Sequence, residues 1–295
     1  MKKNVFTGAA TALITPFQNG KIAYDAMEKL IEWQIEEGTD AIVVAGTTGE
    51  GATLSDAEHK ECIRFCVEKI AGRVPVIAGT GSNDTYYACK LTEHAEACGA
   101  DAMLLVTPYY NKATQKGLVA SFREIAGATS KPCILYNVPS RTGCNMLPET
   151  VAELAETANI VGIKEASGNL TQVADIAALC GDKMDIYSGN DDQIIPVLSL
   201  GGKGVISVLS NLLPGETSRI CHDWMNGEHE KALQAQLRYL PLIHALFSEV
   251  NPIPVKAAMH ALGYTENSVR LPLTCMEEEH EKKMISIMRD LGMRV

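Results

Sequence analysis

The sequence predicts a (β/α)8 barrel followed by a helical appendage, and three observations carry that prediction. Short apolar, β-branched runs ending in Gly, Thr, Asn or Pro alternate eight times with segments of helical period. The runs are continuously apolar, which is the pattern of parallel strands covered by helices on both faces. Near Gly227 the strand pattern stops and only helical periodicity remains. Eight such units fit a closed barrel better than an open doubly wound sheet. An open sheet built for a dinucleotide needs a G-x-G-x-x-G turn after its first strand, and Gly8 to Phe17 contains none.

Taken in order, the first strand is expected over Ala9 to Pro16, where the proline closes the run. An amphipathic helix follows over Ala23 to Glu37. The second strand, Ala41 to Gly46, leads to a helix over Asp56 to Ile70 with Ser55 at its N-cap. The third, Pro75 to Gly79, leads to a helix capped by Asn83. Ala102 to Pro108, Pro132 to Val138, Ile160 to Ala166, Asp185 to Gly189 and Gly204 to Leu209 complete the eight. Beyond them, helical segments are expected over Glu228 to Val250, Pro254 to Leu262 and Met276 to Leu291. The expected organisation is a catalytic barrel over residues 1–227 and a helical domain over residues 228–295. The link is short and free of low-complexity sequence, so the appendage should pack on the barrel.

At 295 residues one large core is available. The 26 Lys and Arg against 36 Asp and Glu give a net charge of −10 with both signs dispersed, which argues against nucleic acid or an anionic membrane as partner. The opening MKKNVFTGAATALITPF is too short and too polar for a signal peptide or membrane span, so a cytoplasmic location is expected. The nine cysteines include no C-x-x-C pair and no zinc-type spacing with histidine. They read as reduced, mostly buried thiols, with no metal.

In such a barrel, chemistry belongs to the C-terminal ends of the strands and the loops after them. Lys164 in the sixth strand is the first candidate. Period-2 alternation groups Ile160, Gly162, Lys164 and Ala166 on one face, and if that face is inward the lysine sits inside the barrel beside a glycine that leaves it room. Desolvation favours a neutral amine, the form that attacks a carbonyl carbon. A lysine near a strand end can equally snorkel to water. Tyr136, at similar height on the fifth strand, offers a phenol able to give and take a proton. Thr47 and Thr48 before Gly49 suit a small carboxylate, and Arg141 after Pro139 suits a second one.

Three strings, Gly46-Thr47-Thr48-Gly49-Glu50, Tyr136-Asn137-Val138-Pro139-Ser140-Arg141-Thr142-Gly143 and Gly162-Ile163-Lys164-Glu165, resemble the signatures of the dihydrodipicolinate synthase family across essentially the whole chain. The GxxGE turn and the barrel lysine are shared with sister pyruvate aldolases such as N-acetylneuraminate lyase and the 2-keto-3-deoxy acid aldolases. Thr48 and Arg141 point to the synthase. The resemblance implies that Lys164 forms a Schiff base with pyruvate, whose enamine attacks the aldehyde of L-aspartate 4-semialdehyde, in lysine and diaminopimelate biosynthesis. It implies Tyr136 as proton shuttle, relayed through Thr48 to Tyr110 from a neighbouring subunit. Thr47 and Thr48 hold the pyruvate carboxylate, Arg141 holds that of the semialdehyde, and Gly189 and Ile206 shape the pocket through their carbonyls. It further implies a homotetramer, a dimer of dimers, with no metal or organic cofactor. A non-enzymatic carboxylate-binding regulator on the same barrel is the remaining alternative.

The same resemblance implies an interface site for inhibitory lysine at Gly51, Ala52, Asp56, His59, Asn83, Tyr87 and Tyr109. Here the chain departs from the pattern: Tyr87 stands where inhibited members carry a glutamate, and Asp56 where they carry a histidine. Weak or absent lysine inhibition is therefore expected.

Overall fold

The computed structural model describes residues 4–295; Met1 to Lys3, which open the basic N-terminal stretch, lie outside that range. Strand β1 (Gly8–Ala12) is followed by a two-stranded antiparallel hairpin, β2 (Phe17–Gln18) and β3 (Lys21–Ile22). Strands β4 (Ala41–Val44), β5 (Val76–Gly79), β6 (Ala102–Val106), β7 (Cys133–Asn137), β8 (Ile160–Glu165), β9 (Asp185–Ser188) and β10 (Gly204–Ser207) then pair in parallel. With β1 they form a closed barrel in which β1 pairs with both β10 and β4. The predicted fold class is the observed one. The hairpin went unread, although Asn19-Gly20 is its signal: both residues have positive φ, 51° and 75°, as a type I′ turn requires.

Two apolar shells explain why the strands read as continuous runs. Ala10, Val43, Ile77, Leu104, Ile134, Tyr136, Tyr187 and Ile206 fill the barrel interior. Ile42, Val44, Leu105, Leu135 and Ile163 pack outward against the helices. The expected inward set on β8 needs one correction. Cys133 is opposite Ile160 while Ile134 is opposite Gly162, so β8 carries an extra residue there. Ile160 consequently packs in the outer shell with Cys133. Beyond the bulge the alternation holds, with Ala166 in the interior cluster and Lys164 over the ring of interior Tyr136.

Helices α1 (Tyr24–Glu36), α2 (Asp56–Ile70), α3 (Thr85–Cys98) and α4 (Gln115–Gly127) follow β3, β4, β5 and β6. Ser55 caps α2 in a reciprocal box with Glu58. The α3 cap is Asp84, not Asn83: the Asp84 carboxylate accepts from the N–H groups of Tyr86 and Tyr87. Asn83 instead bridges loops, donating to the Tyr109 carbonyl at 3.2 Å. After β7 come two short helices, α5 (Pro139–Thr142) and α6 (Pro148–Leu154), each opened by a proline. Then α7 (Leu170–Cys180), α8 (Ile194–Ser199) and α9 (Pro214–Met225) complete the outer layer.

Three further helices, α10 (His229–Leu246), α11 (Ile253–Ala261) and α12 (Glu278–Asp290), end the chain. Helix α10 stops four residues short of the expected Val250, and the chain turns over Phe247 to Asn251 before entering α11. Six cysteines are buried, Cys89 and Cys98 are half-buried and Cys275 is exposed; all are free. Burial pushes the Cys133 thiol up to about 12, making it an inert packing group. No described helix is long and apolar enough to cross a membrane.

Candidate active site

Lys164 is 6% exposed, opposite Tyr136 on β7 and Tyr187 on β9. Its ammonium stands 4.4 Å from the centroid of the Tyr136 ring. Among the described residues no carboxylate lies within ion-pair distance of it. Space for the side chain comes from Gly189: a Cβ there would fall 3.0 Å from Lys164 Cε and 2.6 Å from Ala166 Cβ. Gly162, expected to make that room, has its open side against the Asp185 carbonyl and the Tyr187 ring. The inversion follows from the barrel, which stacks β9 against β8 and brings Gly189 alongside the lysine. Ile206, fully buried on β10, belongs to the same interior cluster.

A cavity of about 350 Å³ opens beside this group, lined among others by Thr47, Tyr136 and Arg141. Lys164 is not itself in that lining and reaches it by way of the Tyr136 ring. The Gly46 to Gly51 turn is held tightly. Gly51 N–H donates to the Gly46 carbonyl at 3.1 Å, and a Cβ on Gly51 would meet the Ala45 oxygen at 2.2 Å. Thr15 Oγ1 donates to the Gly49 carbonyl at 2.7 Å. None of the described residues accepts a hydrogen bond from the N–H of Thr47, Thr48 or Gly49, so the turn can present donors to an anion. Thr48 is buried, and its Oγ1 accepts a hydrogen bond from Asn251 Nδ2 at 3.0 Å. Glu50 has no free carboxylate. Lys256 pairs with Oε1 at 2.5 Å, and the Arg270 N–H donates to Oε2 at 2.9 Å.

Arg141, on α5, donates from Nη2 to the Asn251 carbonyl at 3.0 Å. Tyr110 is not brought to this group within one chain: it is 92% exposed, with φ 71°, and is absent from the cavity lining. The same cavity continues to Gly51, Ala52, His59, Tyr87 and Tyr109. His59 Nε2 donates to the Gly79 carbonyl at 2.8 Å, and burial lowers the pKa of the ring. Asp56 and Asn83 stand outside that lining. The two unusual residues are neighbours: the Tyr87 hydroxyl lies near the Asp56 carboxylate, which Lys60 holds at 2.9 Å. Lys60, first, and Tyr87 keep the Asp56 carboxyl below the usual carboxylate range.

Three residues at the site escaped the sequence reading. Asn251 touches both Thr48 and Arg141, and its only sequence mark is the Asn-Pro dipeptide just before α11. Lys256 was legible as a lone charge in the apolar stretch Ile253 to Met259. Asp191, in the string after the seventh strand, ties two barrel loops: its Oδ2 accepts from the N–H groups of Val208 and Leu209, each at 3.0 Å. Burial raises its pKa.

A closed parallel barrel with its polar groups gathered on the loops beyond the strand ends defines a (β/α)8 enzyme. The chain belongs to the dihydrodipicolinate synthetase family, whose model matches residues 5–291. A 4-hydroxy-tetrahydrodipicolinate synthase of Caldicellulosiruptor bescii is 55% identical over 293 residues, 99% of each chain. Among solved structures, dihydrodipicolinate synthase from Aquifex aeolicus superposes with a TM-score of 0.97 at 43% identity, covering 98% of this chain and 99% of that one. The chloride-inhibited enzyme from Acinetobacter baumannii, complexed with pyruvate, gives 0.95 at 42% identity, covering 97% and 99%. The activity is therefore 4-hydroxy-tetrahydrodipicolinate synthase, a carbon–carbon bond-forming lyase of lysine and diaminopimelate biosynthesis.

Proposed function

We propose that Lys164 carries this activity as a nucleophile toward pyruvate. Its Nζ lone pair adds to the ketone carbon, the carbinolamine loses water to give an imine, and loss of a methyl proton gives an enamine. The enamine carbon attacks the aldehyde of L-aspartate 4-semialdehyde. The amine of the adduct then closes on the imine carbon and returns the lysine free. The observation that carries this reading is a buried lysine with no ion-pair partner among the described residues, held on the ring of Tyr136, which lines a cavity with Thr47 and Arg141. Tyr136 moves the protons, relayed through Thr48 to Tyr110 of the partner subunit. The exposure of Tyr110 on its own chain supports that assignment. Thr47 and Thr48 bind the pyruvate carboxylate, Arg141 binds that of the semialdehyde, and Gly189 and Ile206 bound the pocket. The chain's own amine supplies the electrophile activation, so the reaction uses no metal or organic cofactor.

In this reading residues 1–227 form the catalytic barrel and residues 228–295 a helical domain, in a cytoplasmic homotetramer arranged as a dimer of dimers. Borohydride reduction with pyruvate, followed by peptide mapping, should place the adduct on Lys164; an adduct elsewhere, or none with active enzyme, overturns it. A panel of aldehyde partners separates the synthase from the sister aldolases, which would prefer longer keto acids, and from a non-catalytic binder, which would turn over none. Weak lysine inhibition belongs to the same reading. Asp56 is occupied by Lys60 and Tyr87, and Tyr87 offers no carboxylate to an α-ammonium. Strong saturable inhibition at submillimolar lysine would refute this.

A further inference from the structure

We propose that Asn251 is a positioning residue whose side-chain amide fixes the proton direction of Thr48, at a point of the chain whose main-chain carbonyl also holds Arg141. Asn251 is 5% exposed and lies between α10 and α11, outside the barrel's own loops. Its side-chain Nδ2 donates to Thr48 Oγ1 and its main-chain carbonyl accepts from Arg141 Nη2, each at 3.0 Å. A threonine hydroxyl has one hydrogen, and an oxygen that already accepts from Asn251 keeps that hydrogen for another acceptor. Thr48 is thereby set as the donor toward the reacting groups. Arg141 presents a rigid planar fork, so anchoring one Nη on a carbonyl fixes the plane in which the rest meets a carboxylate. One residue thus links the loop after β4 with the loop after β7.

Asn251 is held firmly enough to do this. Helix α11, which starts two residues later, is fastened to the Thr48 turn by the Lys256–Glu50 ion pair. Asn251 Oδ1 is buried with no hydrogen-bond partner among the described residues. An unpaired buried carbonyl is a penalty that a purely packing residue would shed by substitution, which points to a role for the amide nitrogen.

The proposal rests on the Lys164, Thr48 and Arg141 assignments, and its test separates the two. Asn251→Ala should still give the borohydride-trapped pyruvate adduct on Lys164. Its kcat should fall about tenfold, while the semialdehyde KM stays within about twofold, because alanine keeps the main-chain carbonyl that holds Arg141. Asn251→Asp keeps the shape but reverses the bond, because an ionised carboxylate accepts the Thr48 hydrogen. Its kcat should therefore fall as pH rises through the new carboxyl's titration, a limb absent from wild type and from Asn251→Ala. Wild-type kinetics in both variants, or a loss in Asn251→Asp that does not depend on pH, would overturn the role of Asn251. Failure to trap wild-type Lys164 would instead overturn the underlying chemistry.

Discussion

Two buried lysines in this chain have opposite fates. Lys256, fully buried on α11, is paired with Glu50 at 2.5 Å and lies 4.2 Å from the centroid of Phe17. Lys164, nearly as buried, also rests on an aromatic ring but has no carboxylate within ion-pair distance among the described residues. Burial lowers the Lys256 pKa, and Glu50 opposes that shift by favouring the charged form. A paired charge is fastened, and removing one partner strands the other in a medium that cannot solvate it. Lys164 has no ion pair and feels only the longer-range field of the buried Asp191 carboxylate, and in the proposed reaction its amine is the nucleophile. Burial alone therefore does not identify a reactive lysine; the partner does.

The comparison is broken most severely at Lys164. Lys164→Arg should abolish pyruvate trapping and lower kcat by at least about 10³-fold, because a guanidinium stays protonated, while thermal melts remain close to wild type. Retained turnover would make Lys164 as structural as Lys256. Lys256→Met should do the reverse, costing about 3–5 kcal/mol in denaturant unfolding, and adding Glu50→Gln should recover most of it. No recovery in the double variant would mean that the ion pair is not what holds α11 to the barrel.

A smaller effect is expected at Arg141, proposed above to hold the semialdehyde carboxylate. Arg141→Ala should lower kcat/KM for the semialdehyde at least about tenfold, as loss of a charge-assisted contact worth roughly 1.5–3 kcal/mol implies, with pyruvate trapping intact. Equal loss of trapping would make Arg141 structural. The smallest effect concerns the rim of the Lys256 region, where Arg270 binds Glu58 through both oxygens at 2.6 and 2.8 Å. That pair, against the cost of desolvation, holds the Glu58 carboxyl down at about 2, from an ordinary 4.5. A depressed folded-state pKa contributes stability above the unfolded value that disappears as pH falls through the folded one. Glu58→Gln should therefore flatten the loss of stability between about pH 4.5 and pH 2, by no more than about 1 kcal/mol for a partly exposed pair. An unchanged acid profile would remove Glu58 from the anchor.

The strands, the α2 cap at Ser55 and the candidacy of Lys164, Tyr136 and Thr48 were readable because each depends on neighbours close in sequence. Alternation, a capping box and a string such as Gly46 to Glu50 are local patterns. Where reading failed, one residue altered the outcome. The bulge at β8 moved Ile160 outward, and Asp84 displaced Asn83 as the α3 cap because its carboxylate reaches the first N–H groups of the helix. Tyr87 and Asp56, each a departure in sequence, are neighbours across α2 and α3.

By itself the sequence determined the eightfold strand and helix alternation, the helical tail and the residue types at the strand ends, since period and composition act within a few residues. Only the tertiary structure decided which of two buried lysines is paired, that Gly189 rather than Gly162 makes room for Lys164, and that Asn251 meets Thr48, 203 positions away, and Arg141, 110 positions away. Those contacts depend on closure of the barrel and docking of α11. Long-range hydrogen bonds and desolvation are properties of the folded surroundings, which no local pattern encodes.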